Sequence, residues 1–202
     1  MLIKKKIGLR EGIEPLVGLI AGLDEAGRGP IAGPVMAAAV ILDPRHPIDG
    51  LNDSKQLSQA KRDQLSPLIK KNALSWAVAE ASVEEIDEIN ILQASLLAMR
   101  RALLNLSLQP DGVYIDGNQF ILCDYSMYAI VGGDARVSAI SAASILAKTE
   151  RDKYMLNLHQ QYPYYGFAQH KGYPTQHHLK MLAEHGISCH HRKSFRPVRE
   201  RI

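Results

Sequence analysis

Four acidic residues occupy positions where carboxylates can do chemistry. Asp24 and Glu25 close the apolar run 16–23, Asp116 closes the run 113–115, and Asp152 lies in the long stretch 137–159. Each borders a segment that must be buried, so each stands at the rim of a core. Neighbouring residues of a strand point to opposite faces, so Asp24 and Glu25 reach one site only if the chain turns at Glu25. The glycines at 27 and 29 permit such a turn. Ser144, Lys148 and Asp152 repeat at i, i+4, i+8, with Ser141 near the same stripe, which sets a hydroxyl, an ammonium and a carboxylate on one helix face. On spacing alone, Lys148 and Asp152 serve equally well as a surface ion pair, and each acid as a cap or loop residue.

Grouped carboxylates repel by about 4 kcal/mol per pair at about 4 Å and an effective dielectric near 20. One or two divalent cations remove that cost, and a site of carboxylate and water oxygens suits Mg²⁺ or Mn²⁺. The pairs His177-His178 and His190-His191 are the tempting zinc ligands. Adjacent histidines diverge on a helix, and no Cys or His spacing of a zinc site is present.

The elements that must position these residues follow from periodicity. Residues 16–23 and 34–42 are rich in Val, Ile, Leu and Ala, are bounded by Gly and Pro, and read as two strands joined by a tight glycine-rich turn. A polar loop over 50–57 leads to a helix over 58–71 with Ser58 as its N-cap. Alternation over 74–81 predicts a third strand. Ser82-x-x-Glu85 is a capping box that opens a helical stretch to 106, broken near Asn90. Short strands are expected at 113–115 and 128–131. The helix 137–159 begins almost entirely with Ala, Ser and Ile, which lets it approach a sheet closely. An irregular aromatic segment from Tyr162 then precedes a helix at 175–184. Strands joined by a tight turn, followed by alternating helices and strands, predict an α/β protein with a mixed sheet flanked by helices.

The 202 residues fit one domain, 1–202, in which about 162–202 forms an extension. With 46% hydrophobic and 22% charged residues, the chain is neither disordered nor collagenous. Two distant cysteines, Cys123 and Cys189, make no disulfide scaffold and point to a cytoplasmic setting. No stretch reaches 18 apolar residues. Lys4, Lys5 and Lys6 could pass for the start of a targeting segment. Arg10, Glu11 and Glu14 interrupt it, and 16–23 reads as a strand instead. The formal charge of +3 divides into +6 over 153–202 and −3 over the rest, and seven of eight histidines fall in that basic quarter. Such a face suits a polyanion, although a solvated surface is the plainer explanation of charge alone. No spare apolar helix stripe is evident, so a monomer without membrane contact is expected.

Gly22-Leu23-Asp24-Glu25-Ala26-Gly27-Arg28-Gly29-Pro30 resembles the opening signature of the bacterial ribonuclease HII family. Further matching segments follow in order: Leu51-Asn52-Asp53-Ser54-Lys55, Ile115-Asp116-Gly117-Asn118, and Ser141-Ala142-Ala143-Ser144-Ile145-Leu146-Ala147-Lys148 with Arg151-Asp152. Tyr165-Gly166-Phe167, His170-Lys171-Gly172-Tyr173-Pro174-Thr175 and Arg192-Lys193-Ser194-Phe195 complete the series. One such motif would be weak; the ordered set across about 17–198 is specific.

The resemblance implies an RNase H-like fold with a C-terminal helical extension. It implies Mn²⁺- or Mg²⁺-dependent endonucleolytic cleavage of RNA in RNA–DNA hybrids, and incision at ribonucleotides embedded in duplex DNA. The family's catalytic and metal-binding carboxylates map onto Asp24, Glu25, Asp116 and Asp152. Gly27-Arg28-Gly29 corresponds to the loop that reads a 2′-hydroxyl, and Tyr173 to a junction-sensing aromatic. Lys55, Lys148 and Lys171 are candidate substrate contacts. His170, Arg192, Lys193 and Arg196 are further candidates for phosphate contact. One departure is visible: Gly132-Gly133-Asp134 stands where many relatives carry Lys-Gly-Asp, so a positive charge is missing. The alternatives are a general hybrid nuclease without junction preference, a binding module without chemistry, and a small-molecule phosphatase. Intact glycines and Tyr173 speak against the first, four intact carboxylates against the second, and the basic aromatic tail against the third.

Overall fold

The computed structural model describes residues 5–7 (backbone only), 16–51 and 57–202. Six strands form one mixed sheet in the order β1-β6-β5-β2-β3-β4. β2 (Ile20–Ala26) lies near its centre, antiparallel to β3 (Val35–Ile41) and parallel to β5 (Gly112–Asp116). β4 (Ser75–Ala81) pairs antiparallel with β3, and β6 (Ser126–Ile130) runs parallel to β5.

Two strand expectations are corrected. β1 (Lys5–Ile7), a segment to which the sequence reading assigned no strand, pairs in parallel with β6. The first long strand starts at Ile20 and runs through both acids to Ala26, rather than over 16–23. Leu16 instead packs beside Tyr114 and Tyr128.

Helices cover both faces. α1 (Gln59–Asn72) starts at the expected Ser58 cap, whose side chain accepts from the Lys61 amide. α2 (Val83–Leu104) carries the full Ser82/Glu85 capping box. It breaks at Asn90 (φ 67°), whose Oδ1 then caps the Leu92 and Gln93 amides. On this face Ala94, Ala98, Met99 and Ala102 pack against Leu23, Val35, Val113 and Ile115.

α3 (Ser138–Gln161) lies with α1 on the opposite face, where Ala142, Ala143, Ile145 and Leu146 meet Ala38, Val40, Leu65 and Ile69. Gly22 is what lets α3 sit so low. A Cβ on Gly22 would stand 2.1 Å from the Ala139 backbone. This close approach sets the helix residues 144–152 against the end of β2.

The segment after Tyr162 is more ordered than expected. It holds α4 (Phe167–His170), α5 (Gln176–His185) capped by Thr175, and α6 (Arg196–Arg199). Tyr165, Phe167, Leu182 and Val198 join Ile31, Ala32, Met155 and Leu158 in a separate small core. The C-terminal region is thereby packed onto the loop after β2 and the far end of α3. Among the described residues no helix is long and apolar enough to cross a membrane.

Candidate active site

Asp24, Glu25 and Asp116 converge where two neighbouring parallel strands end. The β2–β5 ladder pairs Leu23 with Ile115, so the next positions hold Asp24 and Asp116. The C-terminal ends of parallel strands are where α/β sheets place their ligands. The chain does not take the turn at Glu25 that the glycines would permit, because β2 stays paired with β3 to Ala26. The two acids come together because β5 has stopped at Asp116, which opens the sheet's end to both faces.

Asp24 is buried, and its Oδ1 accepts from the Glu25 amide at 2.7 Å. Ser144, on the second turn of α3, also hydrogen-bonds the Asp24 carboxylate. Burial, followed by the charges of Glu25 and Asp116, pushes the Asp24 carboxyl well above the usual carboxylate range. Asp116 Oδ1 accepts from the Gly133 amide at 2.7 Å. Glu25 lies 3.4 Å from the Arg28 guanidinium.

The structure treats Asp152 differently from the other three acids. It is buried in an ion pair, 2.7 Å from Lys148 Nζ and 3.5 Å from Arg62. Eight residues separate it from Ser144, about 12 Å along the helix axis. Lys148 and Asp152 are therefore a half-buried pair and not a surface one. Burial lowers the Lys148 ammonium pKa, and the bond to Asp152 opposes that shift. A further buried acid that spacing had not singled out, Asp134, follows directly on Gly133. Its carbonyl accepts from Ser141 Oγ, which ties it to the first turn of α3. The signal in the sequence was the Gly-Gly-Asp triplet just before the helix.

A cleft of about 230 Å³ adjoins the acids, lined by Glu25, Gly27, Arg28, Gly29, Lys148 and Tyr173, with Arg151 at its floor. The Tyr173 ring packs on Gly29, where a Cβ would lie 3.2 Å from it. Gly27 has φ +100°, and a Cβ there would collide with Arg151 Nε at 2.0 Å. Only glycine meets both demands at position 27.

The other expected contacts separate. Lys171 directs its amine to the Ala168 carbonyl, and its own carbonyl accepts from Arg151. Lys55 lies outside the described residues. Arg192 is fully buried on backbone carbonyls and cannot face solvent phosphate, a correction to its expected surface role. His170 is also buried, and Arg196 pairs with Glu200 at 2.7 Å. The adjacent histidines diverge as expected, but His178 and His191 meet each other, Nε2 to Nε2, at 3.1 Å inside the C-terminal core.

Among the described residues, no three His, Cys, Asp or Glu side chains stand in a closed ligand cage. The donor chemistry nevertheless fits a hard divalent cation. Asp24, Glu25 and Asp116 offer only oxygen, and the cost of burying Asp24 among like charges is what a cation offsets.

A mixed sheet with carboxylates at its parallel strand ends, opening beside a glycine-lined cleft that holds Lys148, defines the class as a metal-dependent phosphodiester hydrolase. The model of the family described as Ribonuclease HII matches residues 21–198, and the chain belongs to that family. It is 63% identical over 182 residues to the ribonuclease HII of Azoarcus sp., covering 90% of this chain and 89% of the relative. The ribonuclease HII of Dechloromonas aromatica is 58% identical, with 92% and 95% covered. The crystal structure of ribonuclease H2 from Pyrococcus horikoshii superposes with a TM-score of 0.77 at 27% identity over 90% of this chain and 95% of that one. A Bst-RNase HIII structure in complex with Mn²⁺ shares the fold at TM-score 0.73 and 19% identity, covering 90% of this chain and 68% of that one. The chain is thus an endoribonuclease of the ribonuclease H type that hydrolyses the RNA strand of RNA–DNA hybrids and depends on a divalent metal.

Proposed function

We propose that this enzyme incises duplex DNA on the 5′ side of an embedded ribonucleotide, as well as cutting longer hybrids, and leaves 3′-hydroxyl and 5′-phosphate ends. The observation that carries this reading is the shared wall of the two subsites. The cleft bounded by Gly27, Arg28, Gly29 and Tyr173 includes Glu25 of the carboxylate group, so a sugar read in the cleft lies beside the acids. A 2′-hydroxyl both donates and accepts hydrogen bonds, and backbone without a Cβ can approach it closely. Tyr173, 45% exposed, can pack its ring on a deoxyribose that lacks that oxygen.

Asp24, Glu25 and Asp116 would hold the metal, and of the two remaining acids the geometry favours Asp134 as the fourth. Asp134 adjoins Gly133, whose amide orients Asp116, and its Oδ1 accepts from the Ala135 amide at 3.1 Å; Asp152 lies further along α3, in the ion pair with Lys148 and Arg62. Asp152 then serves to aim Lys148 into the cleft, where its ammonium would meet a substrate phosphate. When bound, a pair of Mn²⁺ or Mg²⁺ ions would supply an activated water and stabilise the leaving 3′ oxygen. Ser144 and the Glu25 amide fix the orientation of Asp24, and the Gly133 amide fixes that of Asp116. The basic C-terminal region would bind the duplex backbone, with affinity falling as salt rises.

The test is a labelled duplex carrying one ribonucleotide, incubated with Mn²⁺ or Mg²⁺ or with excess EDTA, followed by analysis of the product ends. Metal-dependent cleavage 5′ of the ribonucleotide is expected, and Asp116→Asn abolishes it while retaining duplex binding. Efficient cutting of long hybrids with no cleavage of this duplex would favour a general hybrid nuclease instead.

A further inference from the structure

Two arginines lie buried beneath the loop that follows β2, and no carboxylate stands within ion-pair distance of either among the described residues. Arg192 is 0% exposed and Arg151 is 1% exposed. Buried cations normally pair with acids, so this arrangement needs a reason. Their donors go to backbone carbonyls. Arg192 donates to Gly27 at 2.7 Å, Arg28 at 3.1 Å, Pro30 at 2.7 Å and Gly33 at 2.8 Å. Arg151 donates to Ala32, Pro34 and Lys171 at 3.0–3.1 Å. Together they hold six of the eight carbonyls from residue 27 to 34, and Arg151 also reaches the turn that carries Tyr173. Burial lowers the guanidinium pKa to about 9 for Arg192 and about 10 for Arg151, so both remain charged at neutral pH.

The consequence follows from peptide geometry. In a trans peptide the C=O and N–H of one unit point in opposite directions. With the Gly27 and Arg28 carbonyls drawn down onto Arg192, the Arg28 and Gly29 amides must point up and away from it. Residues 27–29 line the cleft, and neither amide donates to an intramolecular acceptor among the described residues. Two consecutive amides aimed the same way form a small concave donor site.

We infer that Arg192, assisted by Arg151, is a positioning residue for ribonucleotide recognition: it turns the Arg28 and Gly29 amides toward the substrate sugar and its phosphate. The inference rests on the proposed reading of the cleft. Lysine cannot replace arginine here, because a single ammonium lacks the planar fork that engages three or four carbonyls at once.

The test compares kcat/KM on a duplex with one ribonucleotide against kcat/KM on a continuous RNA–DNA hybrid, for wild type, R192K and Y173A, with thermal melts of each. A displacement of about 1 Å in a positioned donor costs about 100-fold, so R192K should lower the ratio of the two values by about that factor. Y173A should lower it as well. If Y173A lowers the ratio and R192K scales both substrates down equally, Arg192 is merely structural and this inference falls alone. If Y173A leaves the ratio unchanged, the reading of the cleft fails and the inference with it. Should R192K not fold, R151K is judged by the same criterion. Loss of the fold in both variants would assign the arginines a purely structural role.

Discussion

Acid should destabilise this protein through two buried imidazoles, and the size of the effect can be worked out. Ser188 donates its amide to His191 Nδ1 at 3.0 Å, so that nitrogen carries no proton. His178 Nδ1 faces the Tyr173 carbonyl at 2.9 Å and must carry one. The 3.1 Å contact between the rings is then His191 Nε2–H donating to His178 Nε2, and both rings are neutral. A further proton on either ring sets two donors against each other or against the Ser188 amide. Burial, as the leading cause, lowers the pKa to about 4 for His178 and about 3 for His191.

The unfolded chain has histidine pKa values near 6.5, so it binds protons first as pH falls. The stabilisation is whole above about pH 6.5 and is lost progressively down to about pH 4 and about pH 3. Between pH 7 and pH 5 this amounts to about 2 kcal/mol for one ring. For a domain of this size that lowers Tm by about 4–8 °C. Other groups titrate too. Asp24, with its raised pKa, shifts stability in the opposite direction, so the informative quantity is a difference between proteins. His191→Gln keeps an N–H donor but cannot titrate, and its melting temperature should fall by that much less between the two pH values. Proton NMR of the wild-type rings should show no titration midpoint above about pH 5 for either one. An equal fall in both proteins, or a ring that titrates near 6.5, would refute the reasoning.

Three further outcomes are expected. In metal-free buffer at pH 8, Asp24→Asn should raise Tm by a few degrees, because it removes a buried charge set against Glu25 and Asp116, and it should also abolish the thermal stabilisation that Mn²⁺ gives the wild type. Asp134→Asn should lose activity and metal-induced stabilisation together, whereas Asp152→Asn should keep the metal-induced shift and weaken substrate turnover through a misplaced Lys148; the opposite pattern would make Asp152 the ligand. Gly22→Ala should destabilise by about 1–3 kcal/mol in chemical denaturation, since its methyl group would overlap the Ala139 backbone. Unchanged stability there would mean α3 can lift off β2 freely.

Local patterns carried far in this chain because many of its decisions are local. Hydrogen bonds between near neighbours set the Ser58 cap, the Ser82/Glu85 box and the break at Asn90, and the spacing of side chains announces them. The strands of the central sheet were also legible, since their apolar runs are bounded by Gly and Pro. β1 was not, because three residues in an edge position give no periodicity to read. The short helices α4 and α6 escaped for a similar reason: each is a single turn, held by the small core around Phe167 and Val198.

The sequence by itself determined the cast of the site: three acids at strand ends, glycines where side chains cannot fit, and an aromatic within reach of them. Composition, spacing and motif order are properties of the chain, so they are visible before it folds. Which acids share a charge cloud was decided only by tertiary structure, as Asp152 turning to Lys148 and Arg62 shows. So was the fate of Arg192, a surface cation in one dimension and, in three, a buried clamp on carbonyls 159–165 residues away along the chain. Electrostatic energy depends on distance and solvent access, and neither is encoded by separation along the chain.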